Sequence, residues 1–551
     1  MKRLGLVAAV LVAWLGLPAS AGAARVAIGL AHGVDEHAVS AAIEQRTGTR
    51  PKSLKPIPAL VADLPAGTSL RGLSGIRYVE PLVTRHLAFT PTDPLVSDQW
   101  YLSYSNFYTS WITLPKFEQI PVAVIDSGVD AGHPDLGPRQ ILDARSFVGG
   151  PPCTRRSCTD SLGHGTFVAG LIGAGVNNGI GIAGLAPSAQ LLVAKVVTKS
   201  RAIPVEAEAK AIRWAVDNGA RVINMSLGGI RDPLDPDRDT YSRLEADAVA
   251  YAITSGVVVV AAVGNSDQAP TSPWRYASYP AALPHVLGVS ATTADGAIPA
   301  FSNRDPIYND IAAPGLDILS ILPRPLTARF PSCTEQGYSR CGPEEYREAQ
   351  GTSFATPQVT AAAAVLLSLH PTLQPEQVAK ILESTAIDLN AGNGCDECSE
   401  GRDAYSGWGR LNVAAAIAAL STPPGRDFYE TNDDLGPRSH AVSGSNLRLR
   451  ARVDFWDDQD DVYAIHLSRN QPVYVGLTGS DRSVDLSLAV WRPQAISVER
   501  VADFRYRVRT SARPGARQYL SYRPRLAGTY YVQVRISSPG ATHYRLAIIK
   551  G

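Results

Sequence analysis

Two hydrophobic patterns follow one another along this chain of 551 residues. Between residues 90 and 420, short runs that are apolar without interruption alternate with longer, mixed stretches typical of helices, at 204–218 and 244–255. Apolar strands separated by helices predict a parallel sheet covered on both faces, with its reactive groups at the carboxyl ends of the strands. The predicted strands are 122–125, 191–197, 222–225 and 257–263.

Beyond the linker predicted at 421–427, Ser-Thr-Pro-Pro-Gly-Arg-Asp, the pattern changes to period two. Apolar side chains alternate with polar or more mixed ones, at 486, 488 and 490 and again at 530, 532, 534 and 536. Strict alternation is typical of strands with one buried face. We therefore predict an antiparallel β-sandwich at 428–551.

The first 89 residues contain two further segments. Lys2 and Arg3 precede an apolar run at 4–17 and then small residues, which predicts an export signal at 1–23 that is too short to span a bilayer. Residues 24–89 contain alternating strand positions and a helix capped by Asp35, which predicts a small α+β unit. That unit is either a pro-segment or a permanent N-terminal domain.

Composition limits the partners and the compartment. The net charge of +1 gives no global field that would recruit nucleic acid or acidic membranes. An exported chain can form disulfides, and the simplest of 15 possible pairings of six cysteines joins near neighbours: 153–158, 333–341 and 395–398. A zinc site at Cys395-x-x-Cys398 is the alternative for the last pair.

Three glycine-bracketed segments contain the candidate chemistry. Asp126 lies in Val-Ile-Asp-Ser-Gly-Val, His164 in Gly-His-Gly-Thr, and Ser353 in Gly-Thr-Ser-Phe-Ala-Thr-Pro. The glycines allow a ligand to approach the backbone, and Ser353 is predicted at the N-terminus of a buried helix, where N–H groups favour an oxyanion. Taken singly, Ser353 would be an ordinary N-cap and His164 an ordinary satisfied histidine.

Together, in the order Asp, His, Ser, the segments resemble the motifs of the subtilase family of serine proteases. The resemblance implies a subtilisin-like α/β fold with a mostly parallel sheet and helices on both faces. It implies that Ser353 is the nucleophile, that His164 is the general base and that Asp126 orients the imidazole. Asn265, in Ala-Val-Gly-Asn, would be the side-chain donor of the oxyanion hole.

The segment 224–229, Asn-Met-Ser-Leu-Gly-Gly, resembles the substrate-binding edge of that family. Ser226, Leu227 and Gly228 would line an extended peptide that is added to this edge as a strand. The segment 279–281, Tyr-Pro-Ala, resembles the turn beside the pocket for the residue before the cut bond, and Ser278 occupies a position where glycine is frequent in that family. Its side chain would shorten that pocket and favour medium apolar residues.

The resemblance also implies structural calcium in a loop at 176–182, because calcium prefers six to eight oxygen ligands. The implied ligands are the side chains of Asp93, Asp135 and Asn178 and the carbonyl groups of Val176, Ile180 and Ile182. The acidic turns at 433–434 and 457–461 are instead predicted to be solvated.

The expected protein is a secreted, monomeric serine endopeptidase that acts on polypeptides. Residues 24–89 resemble an inhibitor-like propeptide that would be removed by self-cleavage near 88–93, leaving a peptidase domain at 90–420. Residues 428–551 resemble a bacterial pre-peptidase C-terminal domain. No nucleic acid or membrane partner is expected. The alternatives are a non-catalytic binding protein on a subtilase scaffold, and an esterase or ligase with the same triad.

Overall fold

A computed structural model describes residues 24–65, 68–82, 90–108, 118–137, 140–150, 153–329, 345–498 and 501–551. The predicted export signal, the 333–341 cysteine pair and part of the predicted cleavage region lie outside these ranges. By internal contacts the chain forms two units, one ending at Leu87 and one beginning at Ala88.

The first unit is a four-stranded antiparallel sheet with one helix. The sheet order is β2-β3-β1-β4. Helix α1 (Glu36–Thr47) begins after Asp35, whose carboxylate accepts the His37 N–H as an N-cap. Val39 and Ile43 of α1 join the buried apolar face of the sheet. The strands are β1 (Ala24–Leu30), β2 (Lys52–Ser53), β3 (Ala59–Leu64) and β4 (Ile76–Pro81).

The second unit contains a seven-stranded sheet with the order β11-β10-β9-β8-β5-β7-β6, in which every neighbouring pair is parallel. The four predicted strands are present, with ends shifted by at most two residues. The strands are β5 (Ile120–Asp126), β6 (Ile141–Ser146), β7 (Ala189–Lys195), β8 (Val222–Met225), β9 (Val258–Ala262), β10 (Val286–Thr292) and β11 (Ile311–Pro314).

Side chains of this sheet divide between two apolar cores. In β5, Val122 and Val124 enter one core while Ala123 and Ile125 enter the other. Alternating residues of β7 and β9 divide in the same way. Because both faces are buried, the strands show no polar alternation in sequence, which confirms the prediction of a sheet covered on both sides.

Helices cover the two faces. The eighteen-residue α7 (Thr352–Leu369) is long and apolar enough to span a membrane by composition, but it is 89% buried as a core helix against the sheet. A short antiparallel pair, β12 (Ile318–Ile321) and β13 (Tyr346–Ala349), lies beside the main sheet. The other helices are α2 (Tyr101–Tyr104), α3 (His164–Gly173), α4 (Val205–Asp217), α5 (Arg243–Thr254), α6 (Arg324–Arg329), α8 (Pro375–Ser384) and α9 (Val413–Ala419).

The C-terminal part is a sandwich of two sheets, ordered β14-β16-β21-β18-β19 and β15-β22-β17-β20. The apolar positions of the period-two pattern, such as Val532 and Leu488, form its buried core, as predicted. The strands are β14 (His440–Ala441), β15 (Asn446–Asp454), β16 (Asp460–Leu467), β17 (Val473–Gly479), β18 (Leu486–Trp491), β19 (Arg507–Ser511), β20 (Arg517–Tyr522), β21 (Gly528–Ile536) and β22 (Ala541–Lys550).

Two predicted disulfides are formed, Cys153–Cys158 and Cys395–Cys398. The second bond uses both sulfurs that the zinc alternative would have needed. Each bridge closes a short loop in the second unit, at 5 and 3 residues of separation.

Candidate active site

Asp126 and His164 form a hydrogen-bonded pair at the carboxyl edge of the main sheet. Asp126 is the last residue of β5 and is buried, while His164 is the first residue of α3. The imidazole Nδ1 lies 2.9 Å from Asp126 Oδ1 and 3.0 Å from Oδ2. The Ser127 N–H also donates to Oδ1 of Asp126, at 2.6 Å. The pair leaves the other ring nitrogen of His164 available to a reacting group.

Sequence reasoning missed a second carboxylate that holds this pair in place. Asp160 accepts the N–H groups of Leu162, Gly163 and Thr166, so it caps the start of α3. It also accepts the Ser127 hydroxyl, at 2.9 Å. Asp160 lies four residues before the helix and Gly163 occupies the N-cap position, so no N-cap pattern in the sequence marks this aspartate.

Local charge sets the basicity of His164. Burial lowers the pKa of its imidazole, but the charge and hydrogen bond of Asp126 and the charge of Asp160 outweigh that effect. The pKa of His164 is therefore raised above 6.5. Its side chain remains 31% exposed, so a ligand can reach it.

Two glycines bring β5 and α3 into backbone contact. A Cβ on Gly165 would lie 2.2 Å from the Gly128 carbonyl oxygen and 3.2 Å from Asp126 Cβ. A Cβ on Gly128, whose φ is +110°, would lie 2.7 Å from the Thr159 carbonyl oxygen. No side chain fits between these segments, which explains the glycines beside Asp126 and His164.

Ser353 is the second residue of α7, as the turn-helix prediction expects. Gly351 precedes the helix with a φ of +147°. The Ser353 hydroxyl donates to the Ser226 carbonyl at 3.2 Å, and the Ser226 hydroxyl donates to the Ser353 carbonyl at 2.8 Å. These two bonds join the start of α7 to the segment after β8.

Asn265 lies three residues beyond β9. Its carboxamide oxygen accepts the Thr352 N–H at 3.0 Å and the Thr352 hydroxyl at 3.1 Å. With the oxygen held by these two donors, the amide nitrogen is the end of the side chain left to act as a donor. Asn265 lines the same cleft as Ser353.

One cleft of about 750 Å³ collects the predicted site residues. Its lining includes Asp126, His164, Ser353, Asn265, Ser226, Leu227, Gly228 and Ser278. It also includes two glutamates that sequence reasoning missed, Glu208 of α4 and Glu245 of α5. Gly229 and Tyr279 exchange backbone hydrogen bonds at 3.0 and 2.9 Å, which joins the segment after β8 to the turn containing Ser278.

Comparison with known families assigns the protein family to which this site belongs. The model of the subtilase family matches residues 118–409. That span contains Asp126, His164, Ser353 and Asn265. The chain belongs to the subtilase family. The seven-stranded parallel sheet lies within the matched span and agrees with that assignment.

Several subtilases are similar in sequence. Subtilisin E of Bacillus subtilis is 37% identical over 297 residues, 54% of this chain and 65% of its own. Subtilisin of Bacillus pumilus is 37% identical over 297 residues, 54% of this chain and 90% of its own. Fervidolysin of Fervidobacterium pennivorans is 32% identical over 392 residues, 65% of this chain and 52% of its own. The chain thus spans just under two thirds of the length of subtilisin E.

The residues predicted for calcium are brought together, but the chain's own donors engage the carboxylates. Asp93 accepts the N–H groups of Asn177 and Asn178, at 2.8 and 2.9 Å. Asp135 accepts the Asn178 amide at 2.8 Å and the Ile182 N–H at 3.0 Å. The chain's own N–H groups therefore satisfy oxygens of both carboxylates without an ion. The calcium prediction for Asp93, Asp135, Asn178 and the carbonyls of Val176, Ile180 and Ile182 stays a prediction.

The acidic turns at 433–434 and 457–461 are not solvated, so that prediction was wrong. Asp433 and Asp457 meet His285 of the peptidase part, and Asp434, Asp460 and Asp461 are buried. We call Glu430, Asn432, Asp433, Asp458 and Asp461 the junction cluster. Acidic composition suggested exposure, but the folded chain buries Asn432 and Asp461 completely and covers Asp433 with His285.

A second imidazole faces the junction cluster from the peptidase part. His285 Nε2 lies 2.7 Å from Asp433 Oδ1 and 3.7 Å from Glu430 Oε2. Burial lowers the pKa of His285, but the charges of Asp433, Asp457 and Glu430 outweigh it and raise the pKa well above 6.5. Only 7% of this side chain is exposed, in contrast to His164.

Proposed function

We propose that this subtilase is a serine endopeptidase that hydrolyses polypeptides through an acyl-enzyme. One observation carries the proposal: Asp126, His164, Ser353 and Asn265 come from four separate segments and line one cleft. Such a set supplies a nucleophile, a base, an orienting carboxylate and an oxyanion donor.

In the first half of the reaction, rotation about the Cα–Cβ bond turns the Ser353 hydroxyl from the Ser226 carbonyl toward His164. Oγ attacks the amide carbonyl carbon while the imidazole accepts the hydroxyl proton. Asp126, bound to Nδ1, fixes the tautomer and stabilises the imidazolium. The C–N bond then breaks, and the imidazolium gives its proton to the leaving amine.

Hydrolysis repeats the sequence with water. His164 takes a proton from water as it attacks the acyl carbonyl, and returns that proton to Ser353 Oγ as the ester bond breaks. During both attacks the negative charge on the substrate oxygen is held by the Asn265 amide and the Ser353 N–H. Thr352 keeps the Asn265 side chain in the donating orientation.

Substrate would bind in an extended conformation along the segment after β8. The backbone of Ser226 and Gly228 offers the edge on which a peptide can add as a strand. Gly228 has room for a close neighbour only because it lacks a Cβ, which would lie 2.3 Å from the Tyr279 carbonyl oxygen. Ser278, beside Gly228, would limit the pocket for the residue before the cut bond.

Labelling tests the proposal directly. A fluorophosphonate probe should modify the purified protein once, on Ser353, and peptide hydrolysis should stop in proportion to labelling. The Ser226→Ala variant, which keeps Ser353, should still be labelled. No labelling of the native chain would favour a non-catalytic scaffold, and cleavage of esters without peptides would favour an esterase.

Export and self-processing are parts of the same proposal. The export signal at 1–23 and the two disulfides support secretion. Residues 24–89 would act as an intramolecular inhibitor until the chain cuts itself near 88–93. The Ser353→Ala variant should then accumulate at full precursor mass, measured by mass spectrometry of the exported protein. A processed Ser353→Ala variant, expressed in a host without other proteases, would contradict self-cleavage.

A structural calcium ion is best supported at the junction cluster rather than in the predicted loop. Both Oε atoms of Glu430, Oδ1 of Asn432 and Oδ1 of Asp458 are buried without a hydrogen-bond partner. Carboxylate oxygens of Glu430, Asp458 and Asp461 lie within 4.8 Å of one another. Burial, with the charge of Asp433, raises the pKa of Glu430 to about 8 despite His285. A divalent cation would fit this hard, oxygen-rich set and neutralise it.

Thermal unfolding with and without calcium tests this assignment. Saturating calcium should stabilise the native chain by about 2.7 kcal/mol at one hundred times Kd. The Glu430→Gln/Asp458→Asn variant should lose that shift, while Asp135→Asn in the predicted loop should retain it. A shift lost in Asp135→Asn and retained in the junction variant would place the ion in the loop instead.

A further inference from the structure

Glu208 and Glu245 form a buried acidic pair that the proposed mechanism does not use. Their side chains line the same cleft as Ser353, and they are only 4% and 5% exposed. Glu208 hydrogen-bonds to Glu245, but its Oε1 has no partner. Within the described residues, no lysine or arginine forms an ion pair with either carboxyl. Two buried acids without a cation are costly unless something else compensates them.

The fold holds both carboxyls at positive helix ends. Glu208 lies in the first turn of α4 and Glu245 in the first turn of α5, and the two helices pack against each other. The Ser242 hydroxyl caps α5 by accepting the Glu245 N–H. Helix N-termini favour negative charge, which stabilises the single charge of a pair that shares one proton. Burial and mutual repulsion raise the pKa of Glu208, which fits a proton shared between the two groups.

The cleft also has apolar lining residues. Ile203, Val205 and Leu227 line the same cleft; the first two lie at the start of α4 just before Glu208, and Leu227 belongs to the segment that would hold the substrate. Apolar lining residues together with an acidic pair match a side chain that has a long aliphatic stem and a cationic end. Lysine and arginine are the residues with that shape.

We propose that Glu208 and Glu245 form a subsite for a lysine or arginine of the substrate, away from the cut bond. The inference rests on the proposed peptidase activity. On binding, the basic group takes the place of the shared proton, which leaves to solvent, and both carboxylates then face a cation. Arg201, Asp267, Asp126 and His164 are the other charged or titratable groups along the described cleft. They leave it with an acidic balance that also favours a basic chain.

A positional peptide series tests the subsite. In a fixed, readily cleaved sequence, each position from four before to three after the cut carries lysine or glutamine in turn. At one position that does not flank the cut bond, the peptide with lysine should have a kcat/KM at least ten times that of the peptide with glutamine. In the Glu208→Gln/Glu245→Gln variant that ratio should fall to about one. Glu206→Gln, an exposed glutamate of the same helix, should keep the native ratio.

Each rate is divided by the concentration of sites that the fluorophosphonate probe labels. A partly folded variant therefore does not distort the ratio of kcat/KM with lysine to kcat/KM with glutamine. If the double variant does not fold, Glu208→Gln should still reduce the ratio. A ratio of one at every position in the native enzyme overturns the subsite and leaves the peptidase intact. A preference that persists in the double variant also overturns it. Absence of both labelling and cleavage overturns the peptidase proposal and this inference together.

Discussion

Two imidazole–carboxylate pairs with nearly the same chemistry lie in different places. His164 is 2.9 Å from Asp126 and His285 is 2.7 Å from Asp433, and in both pairs the carboxylate raises the pKa of the histidine. The first pair opens onto the cleft that contains Ser353, whereas the second is sealed between the peptidase part and the sandwich. A histidine–aspartate pair therefore does not identify a catalytic site; access and the neighbouring groups do.

The largest difference should appear when each histidine is removed. His164→Ala should lower kcat/KM for peptide hydrolysis by about 10⁴-fold or more, because no base remains for Ser353. His285→Ala should leave the rate per labelled site within about twofold. Steady-state kinetics on the mature enzyme measure both. Comparable losses in the two variants would contradict the division of roles.

Removing the oxyanion donor should have the next largest effect. Asn265→Ala should reduce kcat by about 10²–10³-fold, because one hydrogen bond to the developing charge is lost. KM should change little, since that bond strengthens only in the transition state. Thr352→Val, which removes one of the two groups holding the Asn265 oxygen, should give a smaller loss. An unchanged kcat in Asn265→Ala would exclude the proposed role.

The titration of His164 should then appear in the pH profile. Activity requires the neutral imidazole, so kcat/KM should fall about tenfold per pH unit below its pKa, which lies above 6.5. Asp160→Asn should move the midpoint down, since the Asp160 charge raises that pKa. For stability the sign is reversed. Protonated His164 stabilises the folded state fully below pH 6.5, and this contribution is lost as the pH rises through the raised pKa of the folded state. A midpoint unmoved by Asp160→Asn would count against this carboxylate.

The last expected effect is on stability at the junction rather than on rate. His285→Asn leaves Asp433, which is only 12% exposed, beside Glu430 without its cationic partner, so the free energy of unfolding should fall by about 3 kcal/mol. Urea unfolding measures it, with His466→Asn, an exposed histidine of the sandwich, as the control. Equal urea midpoints for the two variants would contradict a stabilising His285–Asp433 pair.

Local sequence signals were enough for much of this protein. The uninterrupted apolar runs located four strands of the main sheet, and the period-two stretches located the sandwich, because burial on one or two faces leaves a direct pattern. Asp126, His164 and Ser353 stood out because glycine is needed where backbones approach closely.

What the sequence could not indicate depends on contacts between distant segments. Glu208 and Glu245 lie on amphipathic helices, where an acidic residue usually faces solvent, so only the packing of α4 on α5 reveals them as cleft residues. The junction cluster was misjudged for the same reason. Whether an aspartate is solvated depends on what the fold places over it, and here His285 and the peptidase part cover it.

The contact between Gly165 and Gly128 has a consequence for tolerance to change. Because main chain touches main chain there, the separation of strand and helix is fixed by atoms that every amino acid possesses, and no rotamer can relax it. A single methyl group at Gly165 would lie 2.2 Å from the Gly128 carbonyl oxygen, so it would force the start of the helix, and the imidazole with it, away from Asp126.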